Sequence, residues 1–163
     1  MKSNLQTSKI DTKTEVSLKY TIDDIDDLLP INVGTGNNYL LKVLIMCLLA
    51  KPNDILLIEN PEIHLHPLAQ YKLGYFFTHI NKAGIQLIIE THCEHLINGI
   101  RYEIFKKRFN KEDTNILYKS SLKSCFTEIN YNEKGAFIDS EMKPCKFPDG
   151  FFDAMITELM EMF

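Results

Sequence analysis

The sequence predicts an α/β fold, in which a partial parallel sheet with flanking helices is followed by a small C-terminal β-hairpin and helix extension. Two apolar runs, at residues 55–58 and 85–89, show little alternation, which is typical of strands covered on both faces of a parallel sheet. The segments around them carry apolar residues at every third or fourth position, as helices do. This alternation of strand and helix indicates a parallel, right-handed crossover.

The composition is that of one compact domain or one lobe of a larger one. The chain has 163 residues, of which 45% are hydrophobic and 25% are charged, enough to build one core. No apolar run approaches the roughly 18 residues that a membrane span needs, and the N-terminus lacks the apolar core of a signal peptide. We therefore expect a cytoplasmic protein that does not bind membranes. Four widely spaced cysteines predict reduced thiols.

The charge distribution does not favour nucleic acid as a partner of the chain as a whole, because the net charge is -4. A local basic cluster is the exception. Two interpretations of this cluster stay open, a solvated helix face and a contact with a phosphate backbone. It consists of Arg101, Lys106, Lys107, Arg108 and Lys111.

The N-terminal residues predict little regular structure. Residues 1–14 are polar and mixed in charge, and we expect a flexible tail. Residues 15–20 alternate as a short strand would, and residues 21–29 are expected to be an acidic connector that ends at Pro30.

A first helix follows a break at Gly34 and Gly36. Asn37 or Asn38 is expected to cap this helix, which runs through Leu49 and has apolar residues at helical spacing. The density of apolar residues predicts that the helix is mostly buried.

Proline and glycine mark the limits of the second helix. Pro67 suits the first helical position, and Gly84 is expected to end the helix before the second buried strand. A third helix is predicted over residues 94–109.

Beyond Asn110 the pattern changes to that of a β-rich subdomain. Residues 115–118 and 125–131 predict strands, residues 132–135 a hairpin turn, and residues 153–163 a terminal helix. The predicted divisions are a tail at 1–14, an α/β lobe at 15–111 and the β-rich subdomain at 112–163.

The residues that carry chemistry follow the two buried strands. Residues 59–62, Glu-Asn-Pro-Glu, end the first strand, and residues 90–92, Glu-Thr-His, end the second. Ligands of α/β sheets lie at the carboxyl ends of the strands. An acid directly after an apolar strand is also the Walker B arrangement, in which a carboxylate holds Mg²⁺ beside nucleotide phosphates.

Four segments together resemble ABC-type, AAA-like ATPases of the OLD-like (overcoming lysogenization defect) clade. Residues 58–67 are similar to the Walker B motif and D-loop, residues 90–95 to the switch histidine segment, and residues 32–38 to the signature motif. Residues 146–153 resemble the Pro-Xaa-Gly-Phe-Phe ending of a C-terminal domain found in a subset of these ATPases. The resemblance runs from about Glu15 to the end. It implies a P-loop-NTPase fold that binds ATP and Mg²⁺, with residues 15–111 as an ABC-type ATPase lobe.

The resemblance assigns roles to single residues. Glu59 would hold Mg²⁺, His92 would contact the γ-phosphate or the attacking water, and His66 would lie at the interface that the D-loop crosses.

The signature segment would bind the nucleotide that is held by a facing subunit. It comprises Gly34, Gly36, Asn37 and Asn38. Its glycines permit close backbone approach, and the helix behind it offers unpaired amides to phosphate.

The chain departs from the family pattern in two ways. The position of the water-polarising acid holds Asn60, an amide without useful basicity, and Glu62 is the candidate replacement base. No Gly-Lys pair occurs in the sequence, so the P-loop that holds the β- and γ-phosphates is missing. We expect that the chain does not hold ATP alone in the usual way.

Structural alternatives accompany these assignments. The two glycines would otherwise break a loop, and Glu62 would cap the turn before the second helix. A zinc site would be a further alternative, because His-Xaa-His and His-Cys-Xaa-His are plausible ligand spacings. Its ligands would be His64, His66, His92, Cys93 and His95.

Two hypotheses of function follow. The first is a C-terminal lobe or split subunit of an ABC-type ATPase, which works with a P-loop-bearing half or as a homo-oligomer. By family analogy it would serve phage defence or DNA maintenance, with an effector nuclease and nucleic acid as further partners. The alternative is a degenerate, non-hydrolysing interaction or regulatory module of the same fold, which Asn60 and the missing P-loop favour.

Overall fold

The computed structural model describes residues 2–10, 13–22, 25–28, 34–139 and 141–145. The predicted terminal helix at 153–163 and the motif at 146–153 lie outside these ranges. Within the described residues, no helix combines the length and the apolar character that crossing a bilayer requires.

A three-stranded antiparallel sheet forms the N-terminal part of the described chain. Strands β1 (Lys2–Ile10) and β2 (Lys13–Ile22) pair along their whole length, and β3 (Ile25–Leu28) pairs with β2. The structure therefore has strands where the sequence predicted a tail and a connector. Strand β2 contains the strand that was predicted at residues 15–20. Main-chain pairing needs no apolar alternation, and the segments of β1 and β3 lack that pattern.

Helix α1 (Thr35–Leu49) starts earlier than predicted, with Gly34 as its N-cap. The backbone amides of Asn37 and Asn38 donate to the carbonyl oxygen of Gly34 at 3.0 and 3.3 Å, so both residues lie in the first turn. The prediction that an asparagine caps the helix is wrong. Gly34, which has a non-helical backbone, occupies the N-cap position, and both asparagines lie inside the helix.

The crossover unit has the predicted order and a parallel register. Strand β4 (Ile55–Glu59), helix α2 (Pro67–Lys82) and strand β5 (Gln86–Glu90) follow each other. The strands pair from Ile55 with Gln86 to Glu59 with Glu90. Gly84, at a φ of +84°, follows α2 in the left-handed conformation that favours glycine, as its position predicted.

The β4–β5 sheet is covered on one face only, which corrects the prediction of two covered faces. Ile58 is buried, and Leu56, Leu87 and Ile89 pack against the main core. On the opposite face Leu57 is 71% exposed and Ile88 is 52% exposed. Among the described residues nothing packs over this face closely enough to bury it.

Helix α1 likewise contributes fewer buried side chains than predicted. Gly36, Val43 and Cys47 are its buried residues, whereas Leu49 is 76% exposed. An apolar segment that is exposed in the described chain is typical of a surface that meets another segment or subunit.

Helix α3 (Glu94–Phe105) packs closely against α2 and ends four residues earlier than predicted. Gly74 of α2 and Gly99 of α3 face each other across this contact, and each backbone lies against a carbonyl of the other helix. The helix ends at its C-cap Lys106, and Lys107 has a φ of +56°. The left-handed residue turns the chain out of the helix.

The second core joins α3 to an antiparallel sheet of β6 (Ile116–Tyr118), β7 (Thr127–Tyr131) and β8 (Phe137–Ile138). Ile97 and Ile104 of α3 are buried against side chains from this sheet. The predicted hairpin turn lies between β7 and β8, where Gly135 donates to the carbonyl oxygen of Asn132 at 2.9 Å. Helix α3 thus contributes to both cores.

Side chains of the basic cluster take part in packing and ion pairs. Arg101 donates from Nε to the carbonyl oxygen of Gly135 at 2.8 Å and lies over the ring of Phe137, and burial lowers the pKa of its guanidinium. Arg108 forms a two-pronged pair with the buried Glu103. Arg101 and Arg108 are thus engaged within the chain, which neither a solvated helix face nor a phosphate contact predicted.

The cysteines provide a direct test of this fold. Cys47 and Cys93 are buried, and burial raises the pKa of both thiols, whereas Cys125 is exposed. Because the thiolate is the reactive form, we expect a thiol reagent at pH 8 to label Cys125 rapidly and the two buried cysteines only after unfolding. Mass spectrometry of peptides measures this, with Cys125→Ser as the control. Equal labelling of Cys47 and Cys125 in the folded chain would contradict the fold.

Candidate functional site

The carboxyl ends of β4 and β5 meet at one edge of the sheet. Glu59 and Glu90 are register partners, and the amide of Asn60 donates to the carbonyl oxygen of Glu90 at 2.8 Å. The hydroxyl of Tyr39, from α1, donates to the carbonyl oxygen of Glu59 at 2.6 Å. Two carboxylates therefore end adjacent strands, and α1 is fixed beside them.

The loop between β4 and α2, residues 60–66, is built from tight turns. Asn60 has a φ of +42° and His64 a φ of +60°. The amide of Ile63 donates to the carbonyl oxygen of Asn60, and that of Leu65 to the carbonyl oxygen of Glu62, both at 3.1 Å. Asparagine tolerates the left-handed region better than most residues. The backbone conformation therefore explains why position 60 holds an asparagine.

Glu62 connects this loop to the loop after β5. Glu62 is 7% exposed, and its Oε1 accepts a hydrogen bond from the backbone amide of His92 at 3.1 Å. Among the described residues Oε2 is a buried oxygen without a hydrogen-bond partner. The Glu62 carboxylate joins two loops that are 30 residues apart, rather than capping the turn before α2.

Further hydrogen bonds hold the same two loops. Cys93 donates from Sγ to Oε1 of Gln70 at 3.2 Å, and Nε2 of Gln70 donates to the carbonyl oxygen of Glu62 at 3.4 Å. The amide of Cys93 also donates to Oγ1 of Thr91 at 3.0 Å. Gln70, on α2, thus bridges the segments on either side of it.

The histidines of the site have different surroundings. The side chain of His66 is the N-cap of α2, and its Nδ1 accepts from the amide of Leu68 at 3.3 Å. In the neutral ring this bond leaves the proton on Nε2. His92 is exposed at the end of β5. Within the part of the chain that the structure describes, no three His, Cys, Asp or Glu side chains are grouped to hold a metal, so the histidines and Cys93 do not form a zinc cluster.

The first turn of α1 lies directly against the 60–66 loop. A Cβ atom on Gly36 would overlap the carbonyl oxygen of His64, so the glycine is required by this contact and does not break a loop. Gly34 gives the helix no side-chain cap, and the first turn contains no acidic residue. The amides of Asn37 and Asn38 already donate to the carbonyl oxygen of Gly34. The amides before them are the ones that a helix leaves without an intrahelical acceptor, and an anion suits this end.

The structure brings together most of the residues that the sequence selected. The strand-end acids, the 60–66 loop, the His92 segment and the start of α1 are contiguous through the contacts described above. Tyr39 and Gln70 were missed by sequence reasoning. Both are single polar residues within helices, and no local pattern distinguishes them from solvent-facing positions.

Comparison with known proteins places this arrangement in a family. A family model described as "AAA domain, putative AbiEii toxin, Type IV TA system" matches residues 5–98, more than half of the chain. No curated protein and no solved structure matches the chain. The match includes the N-terminal sheet, α1, the β4–α2–β5 unit and the start of α3, and it indicates a nucleotide-binding, ATPase-type module. This chain therefore belongs to that family of AAA domains.

Proposed function

We propose that the chain contributes the signature segment, the Walker B acid and the switch histidine to a Mg-ATP site that a P-loop-bearing lobe completes. The observation that carries the proposal is the meeting of three segments at the carboxyl edge of the sheet. They are the acid-bearing strand ends, the loop joined to His92 through Glu62, and the uncapped start of α1.

The residues at the sheet edge have the chemistry that Mg²⁺ requires. This ion prefers oxygen ligands and retains several waters. Glu59 and Glu90 offer carboxylates at neighbouring positions, and we assign Glu59 as the residue that would hold the ion. When bound, Mg²⁺ would neutralise charge on the phosphates. His92 is the exposed side chain that we assign to the γ-phosphate or the attacking water.

The N-terminus of α1 fits phosphate oxygens presented from a facing subunit. Gly34 and Gly36 carry no side chain that would shield the start of the helix. The amides of Asn37 and Asn38 are bonded to the carbonyl oxygen of Gly34, so the amides that would meet an anion are those before them in the first turn. A helix N-terminus attracts anions through its unpaired amides and its dipole. We assign these four residues to nucleotide bound by the partner, and His66 to the interface beside it.

The exposed face of the β4–β5 sheet is the proposed docking surface for the P-loop lobe. Ile55, Leu57 and Ile88 lie on it, and each is more than half exposed. Strands of parallel sheets are normally covered on both faces. The sequence contains no Gly-Lys pair, so the lobe that supplies the P-loop is a separate polypeptide, another segment of a longer one, or part of a larger assembly.

Leu57→Asp is expected to weaken association with the P-loop lobe at least about tenfold, because the interface would bury an unpaired charge. Sedimentation velocity of the chain with a P-loop-bearing ATPase encoded beside it measures the effect. Leu122→Asp is the matched control, since Leu122 is 96% exposed and lies between β6 and β7. If both variants associate as the native chain does, this face is not the docking surface.

A second candidate is a degenerate module that retains the fold and the interface but does not hydrolyse ATP. Asn60 favours this candidate, because an amide does not act as a base and the left-handed backbone explains the asparagine without a catalytic role. Association with a P-loop lobe without any hydrolysis by the complex would support this candidate. In either case we propose a place in a defence or DNA-maintenance system with an effector nuclease, by analogy with the family resemblance.

A further inference from the structure

We infer that Glu62 is a positioning residue that fixes the backbone of the switch histidine segment, and that it does not act as the base that activates water. The inference rests on the proposed function, because it concerns how His92 is presented to the nucleotide. The contact between Glu62 and His92 lies within one polypeptide, so it can be measured without the partner lobe.

The contact is specific to the two functional loops. Oε1 of Glu62 accepts from the amide of His92 at 3.1 Å, and the two residues are 30 positions apart. The amide of the switch residue is thereby attached to the loop that also carries His64 and His66. A displacement of either loop breaks this bond, so their positions are coupled.

Gln70 strengthens the same coupling from α2. It donates to the carbonyl oxygen of Glu62 and accepts from Sγ of Cys93, the residue after His92. Cys93 is also the N-cap of α3. The 60–66 loop is therefore connected to His92 through Glu62 and to Cys93, at the start of α3, through Gln70.

Burial makes Glu62 unsuited to the chemistry of a general base. A base must come within hydrogen-bond reach of the proton it removes. Glu62 is 7% exposed, one oxygen is engaged by the His92 amide, and the other is buried by the chain. A water at the exposed edge of the sheet would reach this carboxylate only if the loops opened.

Amide hydrogen exchange of the full chain, measured by NMR without nucleotide, tests the contact. In Glu62→Met the acceptor is lost while the volume is nearly kept, and we expect the His92 amide to exchange about tenfold faster or more. In Glu62→Gln an acceptor oxygen remains, and we expect exchange within about threefold of the native rate. The Gly135 amide, bonded to the carbonyl oxygen of Asn132 in the β7–β8 turn, is the internal control and should not change.

Hydrolysis by the complex with the P-loop lobe gives the second readout. A positioning role predicts that Glu62→Gln lowers kcat by no more than about threefold and that Glu62→Met lowers it by at least about tenfold. A base role predicts that both variants lose hydrolysis equally. If no complex hydrolyses ATP, the proposed function fails while the exchange result still decides the contact.

Two outcomes would overturn the inference. One is native exchange of the His92 amide in folded Glu62→Met, and the other is a Glu62→Gln variant with native exchange but no hydrolysis in a complex whose native form is active. Should Glu62→Met fail to fold, the native chain and Glu62→Gln are compared instead. In that case the native chain gives the reference: slow exchange of its His92 amide, kept in Glu62→Gln, supports the contact, and exchange as fast as in a solvent-exposed amide in the native chain refutes it.

Discussion

Glu59→Gln is expected to lower ATP hydrolysis by the complex of this chain with a P-loop lobe by at least about a hundredfold, the usual scale for removing one electrostatic element of a catalytic site. The substitution removes the charge that we assign to Mg²⁺ and keeps the shape of the side chain. The fold should be unaffected, because Glu59 is exposed and its bond to Tyr39 uses the backbone carbonyl oxygen. Steady-state phosphate release measures the effect.

Glu141→Gln is the matched control for this experiment. Glu141 is exposed and pairs with Lys143 at the surface, so its loss should leave hydrolysis within about twofold of native, as exposed pairs contribute little. Hydrolysis by Glu59→Gln at the rate of the Glu141→Gln control would show that the acid after β4 does not hold the metal.

The largest expected effect on stability comes from the contact between α2 and α3. A Cβ atom on Gly74 would overlap the carbonyl oxygen of Leu96, and one on Gly99 would overlap that of Tyr71. Each clash involves backbone that is part of a helix and cannot rotate away. We expect Gly74→Ala and Gly99→Ala each to lower the free energy of unfolding by about 1–3 kcal/mol or more.

Gly34→Ala distinguishes this close packing from the general effect of replacing a glycine. An added Cβ at Gly34 has no atom within 4 Å. Only the preference for glycine over alanine at an N-cap is lost, so we expect a decrease of about 1 kcal/mol or less. Urea denaturation of the three variants gives the comparison. A Gly74→Ala variant as stable as Gly34→Ala would mean that the two helices do not pack through these glycines.

The position of the β4–α2–β5 unit was predictable, and its surroundings were not. Continuous apolar runs, Pro67 and Gly84 mark its limits locally, and the structure confirms them. Whether each strand face is covered depends on which other segments are present. Leu57 has the same local sequence pattern whether a second layer covers it or not, so its exposure was visible only in the structure.

The N-terminal sheet and the start of α1 show a different limit of sequence reasoning. Alternation at residues 15–20 predicted part of β2. Pairing of β1 with β2 joins main-chain groups of adjacent segments, and the polar side chains of β1 give no periodic signal of it. For α1, the favourable capping chemistry of asparagine suggested a start at Asn37 or Asn38. In the structure the helix starts at Thr35, and Gly36 in its first turn lies against His64 of the distant 60–66 loop. The local sequence does not indicate this contact.

The candidate site was predictable as far as strand-end chemistry extends. Acids after two parallel strands imply a shared edge, and Glu59 and Glu90 are indeed register partners. The bond from the His92 amide to Glu62 was not predictable, because it joins distant residues through a side chain and a backbone group. Family resemblance identified both residues without indicating that they touch.

Calorimetric titration with Mg-ATP tests the central claim most directly. The chain is titrated alone, the P-loop lobe with its own Walker B acid disabled is titrated alone, and then the two are titrated together. If the two lobes share the site, this chain alone does not bind Mg-ATP. The mixture then binds Mg-ATP at least about tenfold more tightly than the P-loop lobe alone does. Tight binding of Mg-ATP by the isolated chain, or a mixture that binds no better than the P-loop lobe, would contradict the account.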